Sequence, residues 1–431
     1  MLDINFIRQN PDIIEKNNKI RKCKIDVREI LKLDEEKRKL ITEIDKKRAE
    51  LNKQSKSRPS PEEIKKLKKL GEDIKKEEQQ LQEKEEQLKK LLNTLPNLTH
   101  ESVPVGDDES GNKVIRKWGE TTTFDFKPRE HWELGEELGV IDTKRAGEIS
   151  GSRFAYLKGD LARMQFAIIQ YTLDRITDEK VIKEIIKKTK LKISSKPFTP
   201  VVPPIFIKPE VMQRMARLEP REERYYIASD DQYLVGSAEH TLGPLHMDEA
   251  INQSDLPIRY IGYSTAFRRE AGSYGKDTKG ILRVHQFDKL EIETFAAPAE
   301  SMAEQDFIVA VQEYLLQGLK LPYQVVAICS GDMGGPDYRQ IDIETWLPGQ
   351  DRYRETNTSD YMTDYQSRRL NTKVRLADGK TVFAHMNDAT AFAIGRTLIA
   401  IMENYQQKDG SIKIPKVLQP YMSGQKIIKK K

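Results

Sequence analysis

Apolar residues in the first hundred positions recur with a regular period. Leu67, Ile74, Leu81, Leu88 and Leu95 are each seven residues apart. An earlier stretch places its apolar residues on the same kind of seam, at Ile30, Leu33, Leu40, Ile44 and Leu51. Because Lys and Glu flank both seams, the repeat predicts two coiled-coil helices.

A Ser- and Pro-rich break, SKSRPSP at 55–61, separates the two helical stretches. Ser60 suits a helix cap, Pro61 suits the first helical position, and Glu62 and Glu63 suit the first turn. The break therefore predicts a turn, and residues 27–95 predict an antiparallel α-helical hairpin. Its cations lie on the outer faces and toward the tip, at Lys37, Arg38, Lys46, Lys47, Arg48, Lys53, Lys56 and Arg58. A projecting rod of this kind suits a phosphate backbone, although each lysine alone is typical of a solvated helix.

The pattern becomes mixed after about residue 122. Helical periodicity appears at 161–176, 303–316 and 391–405. Short strand-like runs lie at 198–207, 233–236, 259–270, 281–294, 323–329 and 341–346. Strands that follow strands favour an antiparallel sheet flanked by helices, so the fold class is α+β.

Composition excludes several classes of protein. The chain has 431 residues, and a third of them are charged, with a net charge of +5. No apolar run approaches the ~18 residues that cross a bilayer, and the N-terminus lacks a secretory pattern. Cys23 and Cys329 have no metal-type spacing, so neither a disulfide framework nor zinc is expected. We expect a cytoplasmic protein without a P-loop or a dinucleotide-binding glycine motif.

The stretch FRREAGSYGKDTKGILRVHQFDKLE at 267–291 concentrates the chemistry. Read as two strands joined by a loop, it places Arg268 with Glu270 on one strand, and Arg283, Phe287 and Glu291 on one face of the other. Guanidiniums bind phosphates, an aromatic ring stacks on a base, and carboxylates accept from amines. The set suits a nucleoside triphosphate and an amine-bearing substrate. Cross-strand charge pairing on an exposed hairpin is the simpler alternative.

Three further clusters support a site. Ser237 and Glu239 follow one strand, and Glu355 and Thr358 lie where another ends. Arg396 interrupts an apolar helical face, which is costly unless an anion or a carboxylate meets it. A structural salt bridge remains an equal explanation for Arg396.

The 267–291 stretch resembles motif 2 of the class II aminoacyl-tRNA synthetases in their seryl form. AIGRTLIAIMENYQ resembles motif 3, FTPVVPPIF resembles motif 1, and the arm resembles the tRNA-binding domain of that family. The resemblance implies an N-terminal tRNA-binding domain at 1–110 and a class II catalytic domain at 111–431. Within the latter, motif 1 would span about 160–207, motif 2 about 260–294 and motif 3 about 387–405.

The resemblance also implies a function: serine and ATP form seryl-adenylate, and the seryl group then passes to tRNA(Ser), which the arm contacts. The enzyme would be a cytoplasmic homodimer that uses Mg²⁺ with ATP. The implied catalytic residues are Arg268 and Arg396. The implied ATP-binding residues are Arg268, Glu270, Arg283, Val284, Phe287, Glu355, Thr358 and Arg396. The implied serine-binding residues are Ser237, Glu239, Arg268, Glu291 and Thr390, and the implied Mg²⁺ ligands are Glu355 and Thr358.

The chain departs from the family pattern at several positions. Ser237 replaces a Thr, and 357–361 (NTSDY) replaces a Ser-Ser-Cys-Ser-Asn-like run. Asp388-Ala389-Thr390-Ala391 replaces an Asn-Gly-Ser-Gly-like run, so Asp360, Tyr361 and Asp388 change charge and bulk. The alternatives are a ligase for a different small amino acid, a ligase that charges a carrier protein, and a non-catalytic RNA-binding relative. Charging of a selenocysteine tRNA stays open.

Overall fold

The computed structural model describes residues 1–55, 60–271 and 279–430. It contains two compact units, Met1–Leu98 and Thr99–Lys431. The centre of the predicted arm turn and the predicted loop of the 267–291 ribbon lie outside the described residues, and so do Lys56 and Arg58. Within the described residues, no helix has both the length and the apolar character that crossing a bilayer requires.

The first unit is helical. Its helices are α1 (Ile4–Gln9), α2 (Pro11–Ile20), α3 (Val27–Ser55) and α4 (Pro61–Thr94). α4 begins as the sequence predicts, because Ser60 Oγ accepts from Glu63 N at 3.4 Å and Glu63 Oε2 accepts from Ser60 N at 2.6 Å. This reciprocal cap satisfies two N–H groups that a helix start otherwise leaves without partners. The two long helices of the arm are therefore confirmed.

The apolar seam of the arm is buried between α3 and α4. Its fully covered residues are Ile30, Leu33, Ile44, Ile74, Leu88 and Leu92. Ion pairs flank the seam: Lys37–Glu85 at 3.0 Å, Arg48–Glu78 at 2.7 Å, Lys84–Glu36 at 2.6 Å, and Lys47–Glu77. Several of the cations predicted for the arm surface thus already face carboxylates of the neighbouring helix.

The second unit mixes helices and strands. Its helices are α5 (His131–Glu137), α6 (Thr143–Ser150), α7 (Gly159–Ile176), α8 (Glu179–Thr189), α9 (Pro209–Arg214), α10 (Glu239–Leu242), α11 (Ser301–Leu319), α12 (Tyr365–Leu370) and α13 (Ile394–Asn404). Its strands are β1 (Lys113–Trp118), β2 (Ile141–Asp142), β3 (Tyr156–Leu157), β4 (Thr199–Val201), β5 (Phe206–Ile207), β6 (Tyr226–Ile227), β7 (Gln232–Leu234), β8 (Ala250–Asn252), β9 (Ile258–Phe267), β10 (Gln286–Ala296), β11 (Tyr323–Ala327), β12 (Arg339–Leu347), β13 (Arg352–Thr363), β14 (Lys373–Arg375), β15 (Thr381–Phe383), β16 (His385–Ala393), β17 (Ile412–Lys413) and β18 (Ile427–Ile428).

Eight of these strands form one sheet in the order β1-β11-β12-β13-β16-β10-β9-β4. Every pairing in it is antiparallel except that of β4 with β9. Helices α11 and α13 pack against it, and α7 packs on these two helices and shares the same core. The α+β class with a large antiparallel sheet and a long N-terminal helical hairpin is confirmed.

Three details of the predicted elements are wrong. The ribbon is shorter than the alternation suggests, since β9 ends at Phe267 and β10 begins only at Gln286. Residues 391–393, predicted as helix, belong to β16. The sequence also gave no indication of β13. Strands β13 and β16 lie at the centre of the sheet and are buried on both faces, so their residues lack the alternation that identifies a strand.

The two faces of the central strands differ in chemistry. Leu290 and Ile292 of β10 are fully buried in the hydrophobic core beneath the sheet. Glu291 and Glu293 alternate with them and therefore point to the opposite face. Cross-strand register aligns Glu291 with Thr390 and Glu293 with Asp388. The face opposite the core is thus lined by polar side chains in ordered rows.

Candidate active site

The end of β9, the start of β10 and the first turn of α13 enclose a cavity of about 140 Å³, which we call the ribbon cavity. Among the predicted site residues, its walls include Arg268, Glu270, Arg283, Val284, Phe287, Glu355, Thr358, Thr390 and Arg396. An adjoining space of about 770 Å³ shares Leu282, Arg283, Glu355 and Arg396 with it. Side chains far apart in sequence therefore converge on one place.

Arg268 lies where β9 ends, between an aromatic wall and a backbone acceptor. Its guanidinium carbon is 5.4 Å from the centroid of the Phe287 ring. Its Nε donates to the carbonyl oxygen of Gly236 at 3.0 Å, and its backbone N donates to His285 O at 3.0 Å. These contacts fix the plane of a group that binds oxyanions through two parallel N–H donors.

Glu270 and Arg283 lie together at the rim of the ribbon cavity. An oxygen of Glu270 is 3.6 Å from Arg283 Nη1, and Arg153 donates to the backbone carbonyl of Glu270 at 2.9 Å. Glu270 has a φ of +51°, a left-handed conformation outside any strand. Both residues line the cavity because of this turn, and not because of the strand alternation that the sequence suggested.

Arg396 pairs with a carboxylate. The sequence analysis required either such a partner or a bound anion for an arginine on an apolar helical face. Its Nη1 is 3.0 Å from Glu355 Oε1 and donates to the Glu355 carbonyl at 2.9 Å. Burial opposes ionisation of Glu355, but the charges of Arg396, Lys289 and Arg268 outweigh it and lower the pKa of this carboxyl. Half of the Glu355 side chain is nevertheless exposed. A ligand anion can therefore reach this pair.

A buried cluster borders the ribbon cavity; we call Ser237, Lys289, Glu291 and Thr390 the tetrad. Glu291 Oε1 accepts from Ser237 Oγ at 3.0 Å and from Thr390 Oγ1 at 3.2 Å. Lys289 pairs with the same Glu291 oxygen, and its Nζ donates to Ser237 Oγ at 3.3 Å. Since Lys289 and Thr390 also line the cavity, the tetrad and the cavity are continuous.

Arg217 joins two acids next to the tetrad, an arrangement we call the Arg217 bridge. Its Nε is 2.9 Å from Glu239 Oε1, and its Nη2 donates to Asp388 Oδ2 at 2.9 Å. Glu239 was predicted beside Ser237, and the structure places it opposite Asp388, across a guanidinium. It does not line the ribbon cavity.

A row of carboxyl groups crosses the sheet at the level of the bridge. Asp388 is the register partner of Glu293 on one side and of Asp360 on the other. Burial and the negative charge of Glu239 raise the pKa of Asp388 to about 8, against the effect of Arg217. Burial also opposes ionisation of Glu239, but the charge of Arg217 outweighs it and lowers that pKa to about 2. The bridge thus holds one ionised acid and, near neutral pH, one largely protonated acid.

The donor set near Glu355 fits a magnesium ion that takes most of its ligands from elsewhere. The Glu355 carboxylate and the Thr358 hydroxyl line the cavity, and Asp342 and Glu344 line the adjoining space. Among the described residues, no group of three or more His, Cys, Asp or Glu side chains could hold a metal alone. Mg²⁺ prefers hard oxygen ligands and is often held by one or two carboxylates together with substrate phosphates.

A histidine fixes the point where the chain returns to β10. His131 Nε2 accepts from Ile281 N at 3.2 Å, and Nδ1 lies 3.3 Å from Glu403 of α13. Gly280, with φ +67°, packs so tightly here that an added Cβ would lie 2.2 Å from His131 Nε2. The α13 helix that carries Arg396 and the segment that carries Arg283 are therefore held by one buried link.

Sequence reasoning gave no role to two charged residues of this region. The period-two pattern puts Lys289 on the same strand face as Glu291, but nothing in the sequence showed that the two would pair. Arg217 gave no local signal, because its partners Glu239 and Asp388 are 22 and 171 positions away in the chain. Only the fold brings them together.

Comparison with known proteins agrees with this geometry. The model of the tRNA synthetase class II core domain (G, H, P, S and T) matches residues 225–405, and that of the seryl-tRNA synthetase N-terminal domain matches residues 1–99. The serine–tRNA ligase of Thermodesulfovibrio yellowstonii is 42% identical over 98% of this chain and 99% of its own length. That of Caldicellulosiruptor saccharolyticus is 40% identical over the full length of both.

Solved structures show the same relationship. Seryl-tRNA synthetase from Pyrococcus horikoshii, complexed with ATP, has a TM-score of 0.90, 37% identity and full coverage of both chains. The cytoplasmic serine–tRNA ligase of Naegleria fowleri, in complex with AMP, has a TM-score of 0.86 and 33% identity, and covers 100% of this chain and 99% of its own. The chain therefore belongs to the serine–tRNA ligase family of class II aminoacyl-tRNA synthetases.

Proposed function

We propose that this chain attaches serine to its tRNA through a seryl-adenylate. The serine carboxylate attacks the α-phosphorus of ATP and pyrophosphate leaves. The terminal ribose hydroxyl of the tRNA then attacks the seryl carbonyl and AMP leaves. The observation that carries this proposal is the convergence of Arg268, Arg283 and Arg396 with the Phe287 ring on one cavity, continuous with the acid-containing tetrad.

Arg268 is the residue to which we assign the central role. It lies between the Phe287 ring and the loop that carries Ser237, which suits a group that contacts the α-phosphate and the serine carboxylate together. The carboxylate is already a nucleophile near neutral pH, so the first step needs no general base. What it needs is alignment of the two reactants and stabilisation of the charge that develops at phosphorus.

The remaining walls of the cavity divide between base and phosphates. Phe287 and Val284, which line the cavity, would form an apolar plate for the adenine ring, and Glu270 would accept from its amino group. Arg283 and Arg396 would bind the distal phosphates, whose oxygens would replace the carboxylate contacts that both arginines make now. Glu355 and Thr358 would hold Mg²⁺ on those phosphates. When bound, the ion neutralises negative charge on the leaving pyrophosphate.

The tetrad is proposed as the serine site. Glu291 would accept from the serine ammonium, and the hydroxyls of Ser237 and Thr390 would meet the polar groups of the amino acid. A slot that hydrogen-bonds a hydroxyl rejects alanine strongly, because its own buried polar groups would stay unpaired. Glu239, held by Arg217, completes the wall beside Ser237.

The amino-acid specificity is tested by ATP–pyrophosphate exchange with serine, threonine, alanine and glycine. We expect serine to be preferred over alanine by several powers of ten in kcat/KM, by analogy with the ~10⁴–10⁵ reached by hydroxyl-recognising sites. Asp360 and Asp388 change the charge near the proposed serine site, which favours testing a second function: a ligase for another small amino acid. Exchange that is faster with one of the other three amino acids would establish it and would overturn the serine assignment.

The helical arm is proposed as the element that contacts tRNA(Ser). The support is its length and the family match at residues 1–99. Replacing residues 32–92 by a short linker should abolish tRNA charging and leave exchange intact, because the cavity and the tetrad lie wholly in the other unit. Retained charging would mean that the arm serves structure alone.

The proposed assembly is a cytoplasmic homodimer formed through the motif 1 segment at 160–207. Phe166 is 62% exposed, Val202 84% and Phe206 44%, so the segment presents apolar area that a second copy can cover. Light scattering of the purified protein should give twice the chain mass of 49.8 kDa. A monomeric mass would contradict the dimer without touching the proposed chemistry.

A further inference from the structure

The proposed serine site, the tetrad, lies next to a second layer of polar residues, and this second layer contains the Arg217 bridge. We call the two layers together the slot. Glu293 follows Glu291 by two residues on β10, and Asp388 precedes Thr390 by two on β16. Residues two apart in a strand share a face at about 7 Å spacing, so each lower acid lies one step beyond a member of the tetrad. Glu239, on the third wall, begins α10 two residues after Ser237.

The lower layer contains more acid than base. Its carboxyl groups belong to Glu239, Asp388 and Glu293, and all three are at least nine-tenths buried. Within the described chain, Arg217 is the only Lys or Arg within 4.0 Å of Glu239 or Asp388. Both oxygens of Glu293 are buried without a hydrogen-bond partner there. Among the described residues, Arg217 is therefore the guanidinium that contacts two of the three acids of this layer.

Two acids here are departures from the family resemblance found in the sequence. Asp388 corresponds to an Asn position of that resemblance, and its register partner Asp360 corresponds to a Ser position. Each exchange adds an ionisable group to a site that water hardly reaches. Uncompensated buried charge is strongly destabilising, so a neighbouring cation with two donor edges is the arrangement that tolerates it. Arg217 lies between the two acids: its Nη2 donates to Asp388 Oδ2, and its Nε forms an ion pair with Glu239 Oε1 at 2.9 Å without a hydrogen bond.

We propose that Arg217 is a positioning residue for serine recognition, which holds the Glu239 side chain near Ser237 by linking it to Asp388. The inference rests on the proposed function. Arg217 does not line the ribbon cavity, so it acts on the amino-acid side alone. The raised pKa of Asp388 agrees with this: near neutral pH Asp388 offers Arg217 a largely neutral acceptor, and the full negative charge stays on Glu239.

The test measures KM for serine and for ATP separately by exchange in full-length protein. R217Q should raise the KM for serine about tenfold or more, the usual effect of losing hydrogen bonds to a charged group. The KM for ATP should change by less than about twofold, which a general loss of structure would not produce. R217K, which keeps the charge but not the forked geometry, should restore part of the serine affinity.

Two further variants show whether Arg217 acts through Glu239. In an E239Q background, R217Q should have little additional effect, because its partner is already neutral. The matched control is R214Q: Arg214 lies on the neighbouring helix α9 and pairs with Asp248 at 2.9 Å, away from the slot. R214Q should leave both KM values unchanged.

The outcomes separate cleanly. An unchanged serine KM in R217Q, or equal increases for serine and ATP without rescue by R217K, would overturn the positioning role. If R217Q is insoluble, R217K decides alone, and an unchanged serine KM in it overturns the role. Wild-type protein without serine-dependent exchange would overturn the proposed function and this inference with it, whereas an active wild type with a silent R217Q overturns only the inference.

Discussion

The ribbon cavity and the tetrad adjoin each other but treat charge in opposite ways. In the cavity, the paired side chains reach water: Arg283 is 36% exposed, Arg396 30% and Glu355 50%. In the tetrad, Glu291 is 1% and Lys289 9% exposed. Exposed pairs contribute little to stability and exchange partners easily, whereas a buried pair that loses one partner leaves a costly charge. The pairs of the first region can therefore yield to the phosphates that we propose for it, whereas the Lys289–Glu291 pair of the second region is costly to break.

Arg268 lies where the two regions meet, so its removal should have the largest effect. R268A removes the one cation that we place on both the α-phosphate and the carboxylate. We expect the kcat of serine-dependent exchange to fall by about 10²–10³, the usual cost of losing one preorganised charge stabiliser. The matched control is R269A: Arg269 is the next residue, but it stacks on Tyr225 at 5.1 Å and does not line the cavity. Near-normal exchange in R268A would refute its role.

Glu291 tests the buried region alone. E291Q keeps the shape but leaves Lys289 without a counter-charge and removes the negative charge that we propose for the serine ammonium. The KM for serine should rise about ten- to a hundredfold, in line with hydrogen bonds to charged groups. The KM for ATP should stay within about twofold. An equal increase for ATP would show that the two regions are not independent.

Glu355 tests the exposed region, and a smaller effect is expected there. E355Q should raise the KM for ATP by roughly three- to tenfold and increase the Mg²⁺ concentration needed for half-maximal exchange, because one hard oxygen ligand loses its charge. The KM for serine should not change. E313Q is a control, since Glu313 pairs with Arg116 at 2.7 Å outside both regions. A magnesium requirement identical to that of the wild type would exclude Glu355 as a ligand.

The exposed region was predictable from sequence because its chemistry is concentrated in short stretches. Arg268, Glu270, Arg283 and Phe287 lie within twenty residues, and a cluster of guanidiniums with an aromatic ring is rare enough to indicate a site. The arm was predictable for a similar reason, since a heptad pattern depends only on nearby residues. What the pattern could not reveal is that the ribbon leaves the strand conformation at Arg268.

The buried region was only half predictable. The sequence pattern supplied Ser237 and Glu291 and the resemblance added Thr390, but the ions that balance them depend on strand pairing. Lys289 is needed as a counter-charge because Glu291, on the same strand face, is buried beside β16. Arg217 is needed because β16 brings Asp388 close to α10. The end of β16, at 391–393, was instead predicted as the start of the following helix. Where the neighbouring strand is not recognised from the sequence, the oppositely charged residue that it brings close cannot be predicted either.

Asp388 should account for part of the pH dependence of stability. Its folded pKa is about 8 against an ordinary value of 3.8. Between these values the folded protein keeps a proton that the unfolded chain has lost, so this group's contribution to stability falls as pH rises. One proton accounts for at most about 1.4 kcal/mol per pH unit. D388N removes the titration, and its unfolding temperature should fall less than that of the wild type between pH 5 and pH 8.

The matched control for this prediction is D248N. Asp248 accepts from Arg214 and Asn371, which lower its pKa to about 2, so it is ionised in both states throughout that pH range. Its substitution should shift the unfolding temperature by the same amount at every pH, while D388N should approach and then exceed the wild type as pH rises. Parallel curves for D388N and wild type would mean that Asp388 is ionised in the folded protein. The Arg217 bridge would then hold two full negative charges, Glu239 and Asp388, against one guanidinium. The buried region would need a second cation within ion-pair distance of these acids, and the described residues do not supply one.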